Sequence, residues 1–93
     1  MDITKALNEN PQKTSLAVGK ILKNARKSKK YTGIELGKKI NISQQQISSY
    51  ERGVNNISLK LLFTILIELD LNLNDFIFML NKELNRDNGY YHY

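Results

Sequence analysis

Apolar residues recur every three or four positions along most of the chain after Ser15, which is the spacing of one face of an α-helix. Alternating β-branched runs are missing, and the single proline and five glycines are scattered, so the pattern does not favour strands. The sequence predicts an all-α, compact five-helix bundle. The expected helices cover approximately residues 15–29, 32–41, 43–53, 58–69 and 72–84.

The position of apolar residues also predicts which faces are buried. In the first helix we expect Val18, Leu22 and Ala25 on the inner stripe, with the lysines outside. The fourth helix, SLKLLFTILIEL, is the most apolar and is expected to be the most buried. In the fifth helix the residues at helical spacing are Leu73, Phe76, Ile77, Leu80 and Leu84.

Two helix starts carry a capping box, in which two side chains each bond a free backbone N–H of the partner position. Thr32 and Glu35 have this spacing at the second helix, and Ser43 and Gln46 have it at the third. Asn41, which tolerates a left-handed backbone, is placed to end the second helix. The sequence therefore predicts two short helices joined by a tight turn.

A chain of 93 residues has room for one modest core, so we expect one domain. Residues 15–84 form this domain in our interpretation, between a flexible arm at residues 1–14 and a tail at residues 85–93. No secretory signal and no apolar run long enough to span a membrane is visible, which favours a cytoplasmic protein without a membrane partner.

The residue inventory argues against catalysis. The chain has no cysteine, so thiol nucleophiles, thiolate metal sites and disulfides are excluded. Its single histidine, His92, lies next to the last residue and without a cluster of possible partners. We therefore expect no enzyme, no metal, no cofactor and no small-molecule substrate.

Charge is unevenly distributed along the chain. Residues 1–60 contain twelve lysines and arginines against four acidic residues, a net charge of +8, whereas residues 61–93 contain two against five, a net charge of −3. A polyanion partner for the first part explains this asymmetry. A lysine-rich solvated surface explains it equally well, and charge alone leaves the two alternatives open.

The third helix begins with three consecutive amides, in the stretch NISQQQISSYERG from Asn41 to Gly53. Helical spacing separates this helix into an inner side and a second side with no large apolar group and no negative charge. The inner side carries Ile47, Tyr50 and Glu51, and the second side carries Gln44, Gln45, Ser48, Ser49 and Arg52.

This arrangement is typical of a helix-turn-helix, which inserts the start of its second helix into the major groove of DNA. A carboxamide presents a donor beside an acceptor and so matches the major-groove edge of adenine, which makes Gln44 and Gln45 candidate base contacts. Ser48 and Ser49 are short enough to touch bases or phosphates. Capping is a sufficient role for Gln46. An ordinary solvated helix face remains the alternative for all of them.

Glu51 lies on the inner side, where a carboxylate needs a cation. Arg26, near the end of the first helix, is the predicted partner. Such a pair would fix the third helix to the scaffold. The alternative is a surface pair of little value.

Residues 18–69 resemble the Cro and phage-repressor type helix-turn-helix domain, the XRE family of bacterial transcription regulators. The resemblance rests on Arg26, on the T-x-x-E-L segment that starts at Thr32, and on the I-S-Q-x-x-I-S-x-Y-E-R-G segment that starts at Ile42. The combination of TGIELG with ISQQQISSYERG is most similar to small regulators linked to fimbrial operons, which implies control of adhesion and motility genes.

The resemblance implies a sequence-specific regulator that binds double-stranded DNA, with base contacts from Gln44, Gln45 and Ser49 and with Arg26 paired with Glu51. The phosphate contacts it implies are Thr32, Gly33, Ser43, Arg52, Asn55, Asn56 and Lys60. The chain departs from the family at three places. Gly33 replaces a common phosphate-contacting glutamine, Gly37 replaces an alanine at a cost of about 1 kcal/mol in helix propensity, and Lys30 replaces a C-capping glycine.

A single reading helix makes few base contacts, so we expect a homodimer on two half-sites. The expected interface is the fifth helix, through Phe76, Phe78 and Met79, unless these residues only complete the core. Two other functions remain open. An antitoxin would need a toxin-binding segment, for which residues 1–14 or 85–93 are the candidates, and a protein-only interaction module would not need the cationic first part.

Overall fold

The computed structural model describes the backbone of residues 10–90 and the side chains of residues 10–86. Within residues 10–90 every regular element is a helix, which confirms the all-α prediction. The helices are α1 (Pro11–Ser28), α2 (Gly33–Ile40), α3 (Gln44–Glu51), α4 (Leu59–Glu68) and α5 (Leu73–Tyr90).

The first helix begins four residues earlier than predicted. Asn10 caps it, because its side-chain oxygen accepts a hydrogen bond from the Lys13 N–H at 3.0 Å. Pro11 occupies the first helical position, where its fixed φ suits a helix and its missing N–H costs nothing. The prediction of a flexible arm is therefore wrong for residues 11–14, and residues 1–9 lie outside the described part.

The fifth helix continues past its predicted end at Leu84. Its start agrees with the predicted cap, because the Asp75 N–H donates to the Asn72 side chain at 2.8 Å. Its backbone stays helical through Tyr90, because extending an existing helix adds one backbone hydrogen bond per residue and does not require an apolar stripe. Residues 85–90 of the predicted tail are thus helical, and residues 91–93 lie outside the described part.

The first four helices end in the same way, with a left-handed residue followed by an N–H that bonds a carbonyl five residues back. The bonds are Tyr31 N to Arg26 O, Ile42 N to Gly37 O, Val54 N to Ser49 O and Leu71 N to Leu66 O. The left-handed residues are Lys30, Asn41, Gly53 and Asp70. Asn41 confirms its predicted role, and Lys30 adopts this backbone although it is not glycine.

The core is assembled from all five helices. Helix α1 packs against α3 and α5, and α2 packs against α3 and α4, so that α3 is held between the first two helices. The buried apolar residues are Ala17, Ile21, Leu22, Leu36, Ile47, Ile65, Leu66, Leu69, Phe76, Leu80 and Leu84.

One of the burial predictions is confirmed and one is wrong in part. In α1, Leu22 is buried, and Val18 and Ala25 are partly buried and pack against the core, as predicted for the inner stripe. In α5, Phe76 is buried inside its own protomer at 2% exposure, so it is unable to contribute to a dimer interface. Leu73 and Ile77, placed on the same stripe, stay partly exposed because they lie at its edge.

Helix α4 is buried on one side only, although its composition predicted deep burial. One side packs inward through Ile65 and Leu66, whereas the opposite side carries exposed apolar residues at every fourth position. These residues are Leu59, Phe63 and Ile67, and we call them the α4 stripe. The helix is apolar on both sides, so composition overestimates its burial.

Candidate nucleic-acid interface

The start of α3 is built by the predicted capping box. The Gln46 N–H donates to Ser43 Oγ at 3.1 Å, and the Ser43 N–H donates to Gln46 Oε1 at 3.2 Å. Ser43 itself has an extended backbone, which ends the turn and starts the helix. The backbone of Ser43 and the side chain of Gln46 are therefore occupied by the cap, whereas Gln44 and Gln45 are exposed beside it.

Helix α3 separates into the two predicted sides. Ile47 is buried at 2% exposure, and Tyr50 and Glu51 lie half-buried next to it. The opposite side forms an open, shallow depression without any carboxylate. Its lining residues, which we call the reading face, are Gln44, Gln45, Ser48, Ser49 and Arg52.

The turn between α2 and α3 depends on a close backbone approach. A Cβ added to Gly37 would lie 2.5 Å from the Ile42 carbonyl oxygen, closer than real Cβ atoms come. The glycine is therefore required by this turn, and the helix-propensity cost predicted for it is offset by the close packing. The partly buried Ile42 packs against the core below the turn.

The start of α2 also carries its predicted capping box. The Thr32 N–H donates to Glu35 Oε1 at 2.9 Å, and the Glu35 N–H donates to Thr32 Oγ1 at 3.0 Å. The hydrogen bonds from Thr32 lower the pKa of the Glu35 carboxyl. Because this carboxylate accepts hydrogen bonds from both the backbone N–H and the hydroxyl of Thr32, the donors left for a phosphate are the first backbone N–H groups of α2.

Gly33 begins α2 directly beside the reading face. A Cβ added there would lie 3.6 Å from Gln44 Cγ and 3.8 Å from Ile47 Cγ2, which are ordinary contacts. The absence of a side chain exposes the N-terminal backbone of α2 next to Gln44. This backbone is the part of Gly33 that is available to a phosphate.

Arg26 and Glu51 make the predicted pair. Arg26 Nε donates to Glu51 Oε2 at 2.7 Å, and Arg26 Nη2 donates to Glu51 Oε1 at 3.0 Å. The two side chains are 12% and 9% exposed, and hydrogen bonding to Glu51 raises the pKa of Arg26. A third bond runs from Arg26 Nη1 to the Tyr31 carbonyl at 2.7 Å. The arginine thus connects α1, α3 and the turn before α2.

Gly19 brings α1 against the end of α3. A Cβ added to it would lie 2.5 Å from the Glu51 carbonyl oxygen, so only glycine permits this approach. The Arg26–Glu51 pair and the close backbone approach at Gly19 both hold the C-terminal end of α3. The reading face therefore lies on a helix whose opposite side is held against α1.

The loop after α3 is attached to the first turns of α1. Gly53 has a φ of 70°, and a Cβ added to it would lie 2.8 Å from Leu16 Cα. Farther along, Ser15 Oγ donates to Asn56 Oδ1 at 2.9 Å. Sequence reasoning missed Ser15, because nothing local connects two polar residues that lie 41 positions apart.

The remaining predicted phosphate contacts lie around this loop. Asn55 and Lys60 are exposed, and Arg52 folds back so that its Nε donates to the Ser48 carbonyl at 3.4 Å. Together with Asn56 they follow the reading face along the chain. Backbone donors at the start of α2 thus lie on one side of the exposed amides, and the positive charge of Arg52 and Lys60 lies on the other.

No cluster of three or more possible metal ligands occurs among the described residues. In the same part of the chain, every helix is too short or too polar to cross a membrane.

Comparison with protein families gives one match. A helix-turn-helix family model matches residues 22–76, which covers the C-terminal part of α1, all of α2, α3 and α4, and the start of α5. No significant match to a curated protein or to a solved structure was found. The matched region contains the Arg26–Glu51 pair, both capping boxes and the whole reading face. The chain belongs to the helix-turn-helix family of DNA-binding proteins, of the Cro and phage-repressor (XRE) type.

Proposed function

We propose that this chain is a sequence-specific transcriptional regulator that binds double-stranded DNA as a homodimer. The observation that carries the proposal is the reading face. Two exposed carboxamides stand at the start of a short helix, without a carboxylate in the depression that they line, and the helix is fixed by a two-bond ion pair. The family membership supports DNA as the ligand.

In this proposal Gln44 and Gln45 contact base edges, because each free carboxamide has a donor and an acceptor that fit adenine in the major groove. Ser48 and Ser49 are half-buried and small, so the helix is able to approach the groove floor closely. They contact bases through their hydroxyls. Gln46 is held by its cap and contributes indirectly, by fixing the start of α3.

Phosphate contacts come from both sides of the reading face. Arg52 and Lys60 supply charge, and Asn55 and Asn56 supply neutral donors. At the start of α2, Gly33 contributes its backbone N–H. Thr32 and Ser43 contribute only their hydroxyls, because their backbone N–H groups are occupied by Glu35 and Gln46. Each hydroxyl exchanges its bond to the Glu35 or Gln46 side chain for a bond to the phosphate.

The homodimer follows from the small size of one reading face, since two copies double the number of base contacts. The apolar residues of α5 that remain available are Phe78, at 69% exposure, and Met79, at 41%. They lie in the acidic part of the chain, so pairing there keeps the cationic parts of two copies apart. The α4 stripe is the competing surface for self-association.

We propose a cytoplasmic location and a role in controlling fimbrial or motility genes. The gene targets rest on the resemblance of TGIELG and ISQQQISSYERG to regulators of that kind. An antitoxin that binds its own operator is the second candidate, and it would use the same reading face. Co-expression with the protein of the adjacent gene, followed by copurification, distinguishes the two.

Binding to DNA duplexes at two salt concentrations tests the proposal. Phosphate neutralisation predicts that affinity for a random duplex falls steeply with salt. Selection from a random DNA pool is expected to return a site with two related half-sites about one helical turn apart. Affinity that does not depend on salt, or a pool that never converges, contradicts the proposal.

A further inference from the structure

The loop between α3 and α4 contains one amide whose direction is fixed by a residue of α1. Asn56 is exposed, yet its side-chain oxygen accepts a hydrogen bond from Ser15 Oγ at 2.9 Å. Ser15 is half-buried in the second turn of α1, and its neighbour Leu16 lies against Gly53 at the other end of the loop. The loop therefore contacts α1 at two points, at Gly53 and again at Asn56.

This bond decides which half of the amide faces outward. A carboxamide has an acceptor oxygen and a nitrogen with two donor hydrogens. In Asn56 the oxygen is occupied by Ser15, and the nitrogen has no hydrogen-bond partner among the residues that the structure describes. The exposed half of the side chain thus offers donors.

A group that offers donors fits a phosphate oxygen, which only accepts. Bonds to phosphates fix the register and orientation of a protein on the duplex, although they carry no sequence information. Asn56 has no charge, so its contribution depends on its direction. A rotated amide would present its oxygen to the phosphate and repel it.

We infer that Ser15 is a positioning residue for DNA binding, which holds the Asn56 amide with its nitrogen toward a backbone phosphate. The inference rests on the proposed function and deepens it by one residue outside the helix-turn-helix. Ser15 does not touch DNA in this account. It acts through Asn56.

The test compares Ser15→Ala, Asn56→Ala and the double variant in the full chain, on the duplex selected from the random pool. Each single variant is expected to lower DNA affinity about two- to tenfold, which is the range of one neutral hydrogen bond. The double variant is expected to lose no more than the worse of the two, because both substitutions remove the same contact. Alanine at position 15 does not reduce helix propensity, so the melting temperature serves as a folding check.

Three further variants separate positioning from other effects. Ser28→Ala removes an exposed hydroxyl at the other end of α1 and should keep full affinity. Ser15→Thr keeps a hydroxyl, so its DNA affinity should stay close to that of wild type and above that of Ser15→Ala. Asn56→Asp keeps the acceptor for Ser15 but loses the donors and adds a negative charge, so it should bind more weakly than Asn56→Ala.

Salt dependence adds a readout that a purely structural role would not produce. The uncharged variants Ser15→Ala, Ser15→Thr and Asn56→Ala should keep the wild-type salt slope, whereas Lys60→Ala should reduce it by about one. Full affinity of Ser15→Ala, or additive losses in the double variant, overturns the inference while leaving the proposed function intact. Failure of the wild type to bind DNA overturns the proposed function itself.

Discussion

Arg26 and Glu51 join the end of α1 to the end of α3 through two N–H···O bonds of 2.7 Å and 3.0 Å. The pair lies against the back of α3, on the side opposite the exposed amides, and it also holds the Tyr31 carbonyl. It is therefore part of the support for the reading face rather than part of the face. Its removal should act on folding before it acts on sequence preference.

We expect Arg26→Ala and Glu51→Ala each to lower the free energy of unfolding by about 3 kcal/mol, because each leaves a mostly buried charge without its partner. The double variant should lose less than the sum of the two. Lys29→Ala, which removes the exposed pair of Lys29 with Asp70, should change stability little. Denaturant titration measures the free energy of unfolding of these four variants. A melting temperature of Glu51→Ala equal to that of wild type contradicts the prediction.

Three glycine-to-alanine variants should behave differently. Gly37→Ala is expected to cost about 1 to 3 kcal/mol, since its Cβ would press on the Ile42 carbonyl. Gly53→Ala is expected to cost a similar amount, because the position combines a positive φ with contact to Leu16. Gly33→Ala is the control, because its Cβ would make only ordinary contacts, and its melting temperature should stay close to that of wild type. Equal stability of all three would contradict the account of the turns.

The capping box of α2 predicts a pH dependence. The pKa of Glu35 is lowered in the folded protein by hydrogen bonds from Thr32, so the ionised form is favoured by folding. Its stabilising contribution is fully present above the ordinary glutamate pKa of about 4.3 and is lost as the pH falls through the lower folded value. The difference in melting temperature between wild type and Glu35→Ala should therefore shrink below about pH 4. A difference that stays constant from neutral to acid pH would rule out this explanation.

Self-association should depend on α5. Phe78→Ser is expected to shift the protein to monomers and to weaken binding to a two-half-site duplex, because 69% of Phe78 is available to a second copy. Ile67→Ser, on the α4 stripe, is the matched control, since Ile67 is also exposed, at 77%. Sedimentation of the three proteins decides between the surfaces. A monomeric wild type at high micromolar concentration, or dissociation caused by Ile67→Ser, counts against the proposed interface.

The sequence predicted the features that depend on nearby residues. The capping boxes at Thr32 and Ser43 and the left-handed end at Asn41 were found because each uses residues within one turn. The pair of Arg26 with Glu51 was found because an inward carboxylate needs a cation. The Asn10–Pro11 start was missed although its signal is local, since an asparagine cap followed by proline is a typical helix start.

Features that depend on the packing of distant segments were not predictable in the same way. Helix α4 is apolar on two sides, so its periodicity does not show which side packs inward, and the exposure of Ile67 became visible only in the fold. The assignment of Phe76 to an interface failed because the periodicity of α5 likewise does not show which of its apolar residues pack inward. The bond between Ser15 and Asn56 has no sequence signal, because it depends on how a loop returns to α1.

The central claim, that the amides of α3 bind base edges in the major groove, is tested most directly by removing one acceptor from the DNA. In the selected site, each adenine is replaced in turn by 7-deazaadenine, which lacks the N7 acceptor but still pairs with thymine. The account predicts one adenine at which wild type loses about tenfold in affinity, whereas Gln45→Ala, already weaker by about 1 to 3 kcal/mol, loses nothing further. Gln12→Ala, which removes an exposed glutamine of α1, should respond as wild type does. If no replacement affects wild type, or if Gln45→Ala responds as strongly as wild type at every adenine, the Gln45 carboxamide does not contact an adenine edge.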